Sequence, residues 1–501
     1  MINEKGNKRS ELVCYYFFLS ALMMTFSYGL VLYFLNSNAL LCAISFIAFL
    51  LSMLFLVLTL WGEKTLNLSF ITKEKLIVFL LVPCAYITLK SIILKSHEPL
   101  LFYDSISYLG ESTWRSFTIP FIYSILNKDP DRIVLFQTLL ATFSSLAMSI
   151  VFYYSIREKF LRLIIPVIFL LFTLSYSIIE WEVVLISESI CFSLLLVLSS
   201  ATIIGFRQHQ RFKDNKLIKY AFFIVWAMLV FLYSNTRDTN LYLLIVCLPI
   251  MLYMLLRFEY KKKIIAIILV LLVTIGYQYW DSTKYEIRWL PNLMNAIYTH
   301  ALVENNDINY FIKENMPIKE DVLSNNLTLQ EFYGAYFDNN EELRSWLAEK
   351  GKITYMKYLI SQPLKVNMDL VANLDEIFLN TVLRSYVTTE ISDLSKTLDY
   401  IFFFPIEHIN ELLVVLLLSF PIVLFLIFKK HRQLNVINLL FVLFFYTQTF
   451  LGYYGDGQES QRHAFLGNIL FRVSLVLLCC SLYLAIKAII ENTVQNRVSG
   501  K

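Results

Sequence analysis

The stretch LNVINLLFVLFFYTQTFLG, YYGDGQESQRH, AFLGNILFRVSLVLLCCSLYLAIK, residues 434–452, 453–463 and 464–487 in turn, decides the fold. Two long apolar runs flank one short polar turn. A helix rises about 1.5 Å per residue, so roughly 20 apolar residues cross the hydrocarbon of a bilayer. Working outward from this pair, the same pattern recurs along the chain. Twelve membrane spans are expected, near 12–35, 39–61, 75–95, 133–155, 162–179, 183–206, 218–235, 239–256, 262–280, 408–428, 434–452 and 464–487. The run after the basic start, Met1 to Glu11, is too long for a signal-peptide core and is expected to be a retained helix.

Composition agrees with an all-α, polytopic membrane protein. Apolar residues make up 57% of the chain and charged residues 16%, against about 25% charge in an ordinary soluble domain. A net charge of +4 gives no electrostatic footprint for nucleic acid. Only 13 glycines are present and no Gly-rich phosphate loop is among them, which argues against direct use of a nucleotide. The seven cysteines, Cys14, Cys42, Cys84, Cys191, Cys247, Cys479 and Cys480, all fall in apolar runs, without the spacing of a zinc site or a disulfide framework.

Lys and Arg in the short loops orient the spans. With the N-terminus inside, one side collects Lys5, Lys8, Arg9, Lys64, Lys73, Arg157, Lys159, Arg207, Arg211, Lys213, Lys216, Arg257, Lys261, Lys262, Lys429, Lys430 and Arg432. The opposite turns at 36–38 and 180–182 carry none, and those at 234–238 and 453–463 carry Arg237 and Arg462 alone. Both termini are therefore expected in the cytoplasm of a cell with the protein in its inner or plasma membrane. Four segments follow: an N-terminal two-helix addition over 1–74, a transmembrane module over 75–280 with a large outer loop at 96–132, an extracytoplasmic helical domain over 281–400, and C-terminal spans over 401–501.

The unusual polar residues gather on the outer side of this topology. The first large outer loop holds Tyr103-Asp104-Ser105-Ile106-Ser107-Tyr108 and then Trp114-Arg115. Glu180-Trp181-Glu182 leads to Glu188, one to two turns into a span, where a buried charge is costly and faces a cavity or a partner. Arg237-Asp238 and the 453–463 turn, with Glu459, Arg462 and His463, complete the set. Each has a plain alternative: a loop carboxylate for Asp104, a bond to a neighbouring helix for Glu188, a headgroup-level anchor for Trp181, a surface pair for Arg237 and Asp238.

These residues resemble the GT-C fold glycosyltransferases, membrane enzymes that use polyprenyl-phosphate sugars. The Tyr103–Tyr108 loop is similar to their Asp-containing loop, and Trp114-Arg115 with Pro120 and Tyr123 to their Arg, Pro and Tyr stretch. Ser187-Glu188-Ser189, the group Glu459, Arg462 and His463, and the pattern Trp346, Gly351, Tyr355, Pro363 also resemble that superfamily. The resemblance covers roughly 75–260 and the last outer loop. In that superfamily the Asp loop normally follows the first span, whereas here two further spans precede it, which is the reason for reading 1–74 as an addition.

The resemblance implies an inverting transfer of a sugar from a polyprenyl-phosphate carrier to an extracytoplasmic glycan or lipid acceptor, with Asp104 as general base. Cationic candidates for the donor phosphate are Arg462, His463 and Arg237, since Arg suits bidentate phosphate contact. Glu188, Glu182, Tyr108, Arg115 and Glu459 are candidates for positioning the sugar, the acceptor or the loop. No Asp-x-Asp stands in the loop, so the sequence leaves a divalent metal open and implies no other cofactor. Two other classes stay compatible with the chain. One is an O-antigen-type ligase or polymerase of lipid-linked glycans, with Arg288, Arg344 and Arg384 as its cations. The other is a transporter or flippase, although no half-to-half symmetry of the kind many transporters show is visible.

Overall fold

The computed structural model describes residues 77–94, 98–110, 115–208, 216–257, 261–284, 289–303, 307–318, 331, 337, 340–379, 392–403, 419–424, 432–455 and 460–499. The regular structure of these residues is helical, apart from one isolated bridge between Leu100 and Val184. Among the described residues, five helices are long and apolar enough to cross a membrane: Pro130–Ser155, Ser187–Gly205, Lys261–Thr283, Leu434–Tyr454 and Phe465–Glu491. A lipid bilayer is the surrounding that such helices fit. The runs expected at 12–35 and 39–61 lie outside the described residues, as does most of 408–428. Three further runs form shorter apolar helices, Val78–Leu94, Lys219–Ser234 and Asn240–Tyr253.

The backbone divides into two units, each drawn from separate stretches of chain. The first comprises 1–106, 122–226 and 389–403, and the second 107–121, 227–388 and 404–501.

Within the first unit, α1 (Val82–Leu94), α2 (Pro130–Ser155), α3 (Lys159–Phe172) and α4 (Ser187–Gln208) form the framework. Helix α2 packs on both α3 and α4. It starts cleanly because Asp129 accepts hydrogen bonds from the free amides of Asp131 and Arg132, with Pro130 at the first helical position. The continuous span expected over 162–179 is instead broken, with a bend of 62° between Lys159–Phe172 and Tyr176–Glu182. The cause is local chemistry. The hydroxyls of Thr173 and Ser175 bond back to the carbonyls of Leu170 and Phe172 at the end of α3, an alternative to continuing the helix. The short helix that restarts at Tyr176 is capped from far along the chain, the Ser177 amide donating to Asp399 Oδ1 at 2.8 Å. Asp399 lies on the helix Asp393–Phe402, whose Leu398 joins Tyr86, Ile93, Leu170 and Leu174 in one apolar cluster.

The second unit contains α5 (Asn240–Arg257), α6 (Lys261–Thr283), α7 (Arg432–Tyr454) and α8 (Phe465–Ser499). Helix α5 packs against α6 and α7, and α7 packs along α8. Two glycines set the α7–α8 approach. A Cβ at Gly452 would stand 2.7 Å from the backbone nitrogen of Ala464, and one at Gly467 would press on Thr449, 3.0 Å from its nitrogen. Small residues at such crossings let backbones meet closely in lipid.

Between α6 and α7, residues 290–358 hold an apolar core of their own, built on Met294, Ile297, Leu302, Phe311, Leu343, Trp346 and Tyr358. Its margin is tied by Asp307, which accepts hydrogen bonds from Tyr358 (2.7 Å) and from Lys365 (2.8 Å). Burial favours the neutral acid, but the bonds from Lys365 and Tyr358 outweigh it and hold the Asp307 carboxyl below the ordinary carboxylate range. A carboxyl held low in the folded state adds stability above its unfolded pKa, and that stability drains away as pH falls through the folded value. Thermal melts from pH 6 downward are therefore expected to show an acid-side loss of stability that is smaller in Asp307→Asn. Parallel acid limbs in the two proteins would contradict this.

Candidate functional site

In the first unit the chemistry gathers on a pinned loop. The segment 98–102 lies against the chain after the 180–182 turn, with the Leu100 amide donating to the Val183 carbonyl (2.9 Å) and the Leu185 amide to the Leu100 carbonyl (3.1 Å). The next four residues close a tight turn. The Ser105 amide donates to the Phe102 carbonyl at 2.9 Å, and the Ser105 hydroxyl accepts from the Phe102 amide at 2.8 Å. Phe102 and Ser105 are buried, Tyr103 is 87% exposed, and Asp104 sits between them half-buried. Asp104 is thus presented on a backbone that is bonded on both sides of it.

The strip that receives this loop is itself tightly held. Glu180, Trp181 and Glu182 form a buried 3-10 turn, so Trp181 lies inside the packing. Gln137 on α2 donates from Nε2 to the carbonyls of Glu182 and Val184, 2.9 Å each. The Tyr123 hydroxyl donates at 3.2 Å to Gln137 Oε1 and lies 3.3 Å from the Ile186 carbonyl. Lys90 on α1 meets Glu182 at 2.8 Å. Helix α4 then begins at Ser187, whose hydroxyl donates to Glu188 Oε2 at 3.2 Å, and Glu188 is buried. The unit therefore joins the Asp104 loop to the strip that runs from Glu182 to Glu188.

The second unit assembles cations around the turn 234–238. Arg237 Nη2 lies 2.6 Å from His463 Nδ1. A guanidinium can only donate, so Nδ1 accepts and the ring proton sits on Nε2. Arg462, the preceding residue, is buried. Gln278 on α6 supports the turn by donating to the carbonyls of Arg237 (3.0 Å) and Asp238 (3.4 Å). Asp238 accepts from the Ser116 hydroxyl at 2.8 Å, while the Thr118 amide donates to the Asn235 carbonyl at 2.9 Å. Arg115 stacks its guanidinium 4.6 Å from the centre of the Tyr108 ring and donates to the Ser107 hydroxyl at 2.6 Å. Lys352 stands over the rings of Tyr279 and Trp289, 5.8 Å from each. Burial pushes its ammonium below the ordinary lysine range, and the attraction of Asp238 opposes that shift in part. Guanidinium, ammonium and imidazole N–H groups of this kind are donors suited to an anion.

Of the residues singled out in the sequence, the structure pairs Arg237 with His463 and Tyr108 with Arg115, and places Glu182 in an ion pair with Lys90. Glu459 and Trp114 lie outside the described residues. Among the described residues no three His, Cys, Asp or Glu side chains converge as a metal site. Reading the sequence passed over Lys90, Gln137, Lys352 and Arg472. The first and last carried a signal, a cation inside an apolar run. Arg472 is buried in α8 and donates to Asn468 at 2.9 Å. Gln137 and Lys352 are ordinary residues in the sequence, and only the fold gives them their partners. Comparisons with the models of known families, with characterised proteins and with solved structures found no match to this chain.

Proposed function

We propose that this chain is a membrane glycosyltransferase that moves a sugar from a polyprenyl-phosphate carrier to a glycan or lipid acceptor, with inversion at the anomeric carbon. The proposal includes twelve spans, cytoplasmic termini and an extracytoplasmic site, in line with the sidedness of Lys and Arg. The observation that carries it is the mounting of Asp104. A general base works only if it stays within hydrogen-bond reach of the proton it takes. The Phe102–Ser105 turn, closed by two hydrogen bonds and preceded by Leu100, which is bonded to Val183 and Leu185, supplies that constancy.

In this reading the acceptor oxygen attacks the anomeric carbon as Asp104 takes its proton. The bond from that carbon to the phosphate oxygen breaks, and its electron pair leaves with polyprenyl phosphate. Negative charge grows on the phosphate, so preorganised cationic donors lower the barrier. Arg237, Arg462 and the Nε2–H of His463 are the donors assigned to that task. The isoprenoid tail would lie in the bilayer that the long apolar helices fit.

The test is release of free polyprenyl phosphate from a panel of short-chain polyprenyl-phosphate hexoses and pentoses, using membranes that contain the protein. Release dependent on an added acceptor extract supports the proposal. Transfer of whole glycan chains instead, with no turnover of the single-sugar donors, would refute it in favour of a ligase. Arg237→Gln is expected to lower kcat by about 10²–10³-fold, the scale of losing one preorganised donor. Arg237→Lys should recover little, because a point charge lacks the planar fork. Wild-type kcat in Arg237→Gln would remove Arg237 from the assignment.

A further inference from the structure

We infer that the buried Lys90–Glu182 ion pair is a positioning device for Asp104. The inference rests on the role proposed above for that residue. Both side chains are about as enclosed as the apolar core, 3% exposed each, and their charged atoms are 2.8 Å apart. An enclosed pair of this kind is poor value as a source of stability, since desolvation offsets most of the attraction and an apolar pair of like volume commonly does as well. What it supplies is direction. Glu182 Oε2 has no hydrogen-bond partner among the described residues, so Lys90 alone sets where this carboxylate points.

The position of the pair in the chain gives that direction a use. Lys90 lies on α1, the helix that runs into the Asp104 loop, and Glu182 lies on the turn that receives the loop. The ion pair ties the chain at Lys90, and the bonds of Leu100 to Val183 and Leu185 tie it again. Gln137 holds the other side of the same strip through the carbonyls of Glu182 and Val184. From Leu100 the chain reaches Asp104 through the locked Phe102–Ser105 turn. A shift of Glu182 would be passed along this short path to the carboxylate of Asp104. Misplacement of a reacting group by about 1 Å can cost on the order of 10²-fold in rate.

Two readouts test this, one independent of turnover. Amide hydrogen exchange of 98–105 is expected to speed up by about tenfold or more in Lys90→Met, and to stay near wild type in Lys90→Arg. Turnover of the same polyprenyl-phosphate hexose and pentose panel is expected to fall about 100-fold in kcat with KM unchanged. In an Asp104→Asn background, Lys90→Met should cause no further fall, because a residue acting through Asp104 has nothing left to position. Lys90→Met leaves a carboxylate enclosed without its partner, so the neutral pair Lys90→Met with Glu182→Gln serves as the second variant. It is expected to fold, and still to show fast exchange and low kcat.

Wild-type exchange in Lys90→Met and in Lys90→Met with Glu182→Gln would overturn the inference whatever turnover shows, and so would additive losses when Lys90→Met is combined with Asp104→Asn. If Asp104→Asn alone turns over like wild type, the base assignment falls, whereas the exchange data still judge the tether.

Discussion

Replacing Asp104 by Asn is expected to lower transfer by about 10²–10⁴-fold, the usual contribution of a positioned general base. Asn has nearly the same shape and keeps hydrogen-bonding capacity, but it cannot take a proton. The turn around it should survive, since its bonds run between the Phe102 and Ser105 backbones and the Ser105 hydroxyl, with Phe102 buried as an anchor. The expected result is protein at wild-type level in the membrane with almost no acceptor-dependent release of polyprenyl phosphate. Immunoblots of membranes beside the release assay give both quantities. Activity near that of wild type would show that Asp104 is an ordinary loop carboxylate.

The second large effect concerns the α7–α8 pair. Gly452→Leu is expected to give no stably folded protein, and Gly452→Ala to destabilise by about 1–3 kcal/mol, the range for overpacking a tight site. The atoms that a Cβ would meet are backbone, the nitrogen of Ala464 at 2.7 Å and the carbonyl carbon of His463 at 2.8 Å, so no side-chain rotation relieves the clash. Forcing them apart would also displace His463 from Arg237, so activity should fall with stability. Gly276 on α6 is the control, because a Cβ there meets nothing within 4 Å. Gly276→Ala should melt close to wild type. Thermal unfolding in detergent, followed by size-exclusion elution, separates the three outcomes, and equal melting of Gly452→Ala and Gly276→Ala would contradict the packing argument.

Long apolar runs were readable wherever composition alone sets the structure. The helices Pro130–Ser155, Lys261–Thr283, Leu434–Tyr454 and Phe465–Glu491 fall where the runs 133–155, 262–280, 434–452 and 464–487 place them. The break after Phe172 was not readable, because it depends on Thr173 and Ser175 together with a cap from Asp399, which is 222 residues from Ser177. Helix α4 starts at Ser187 instead of 183, since Val184 bridges to Leu100. The same limit applies to the site. Asp104, Arg237, Glu188 and His463 stand out as polar residues at the ends of apolar runs, whereas their partners are set by tertiary structure. Arg237 and His463 are 226 positions apart, and Lys90 and Glu182 are 92 apart. Periodicity and spacing report on near neighbours only.

Charge placement is the common physical thread. A chain rich in apolar residues can afford few buried ions, so those it keeps mark places where direction matters more than burial. Lys90 with Glu182 and Glu188 with Ser187 are such places in the first unit, as are Arg462 and Arg472 in the second.

The most direct test of the central claim is mass spectrometry of lipid extracts from three strains: cells lacking the gene, and such cells carrying either the wild-type or the Asp104→Asn gene. If the protein spends a polyprenyl-phosphate sugar and Asp104 is its base, one such lipid accumulates in the deletion and in Asp104→Asn but not with the wild-type gene. Identical lipid-linked sugar profiles in all three strains would contradict the account.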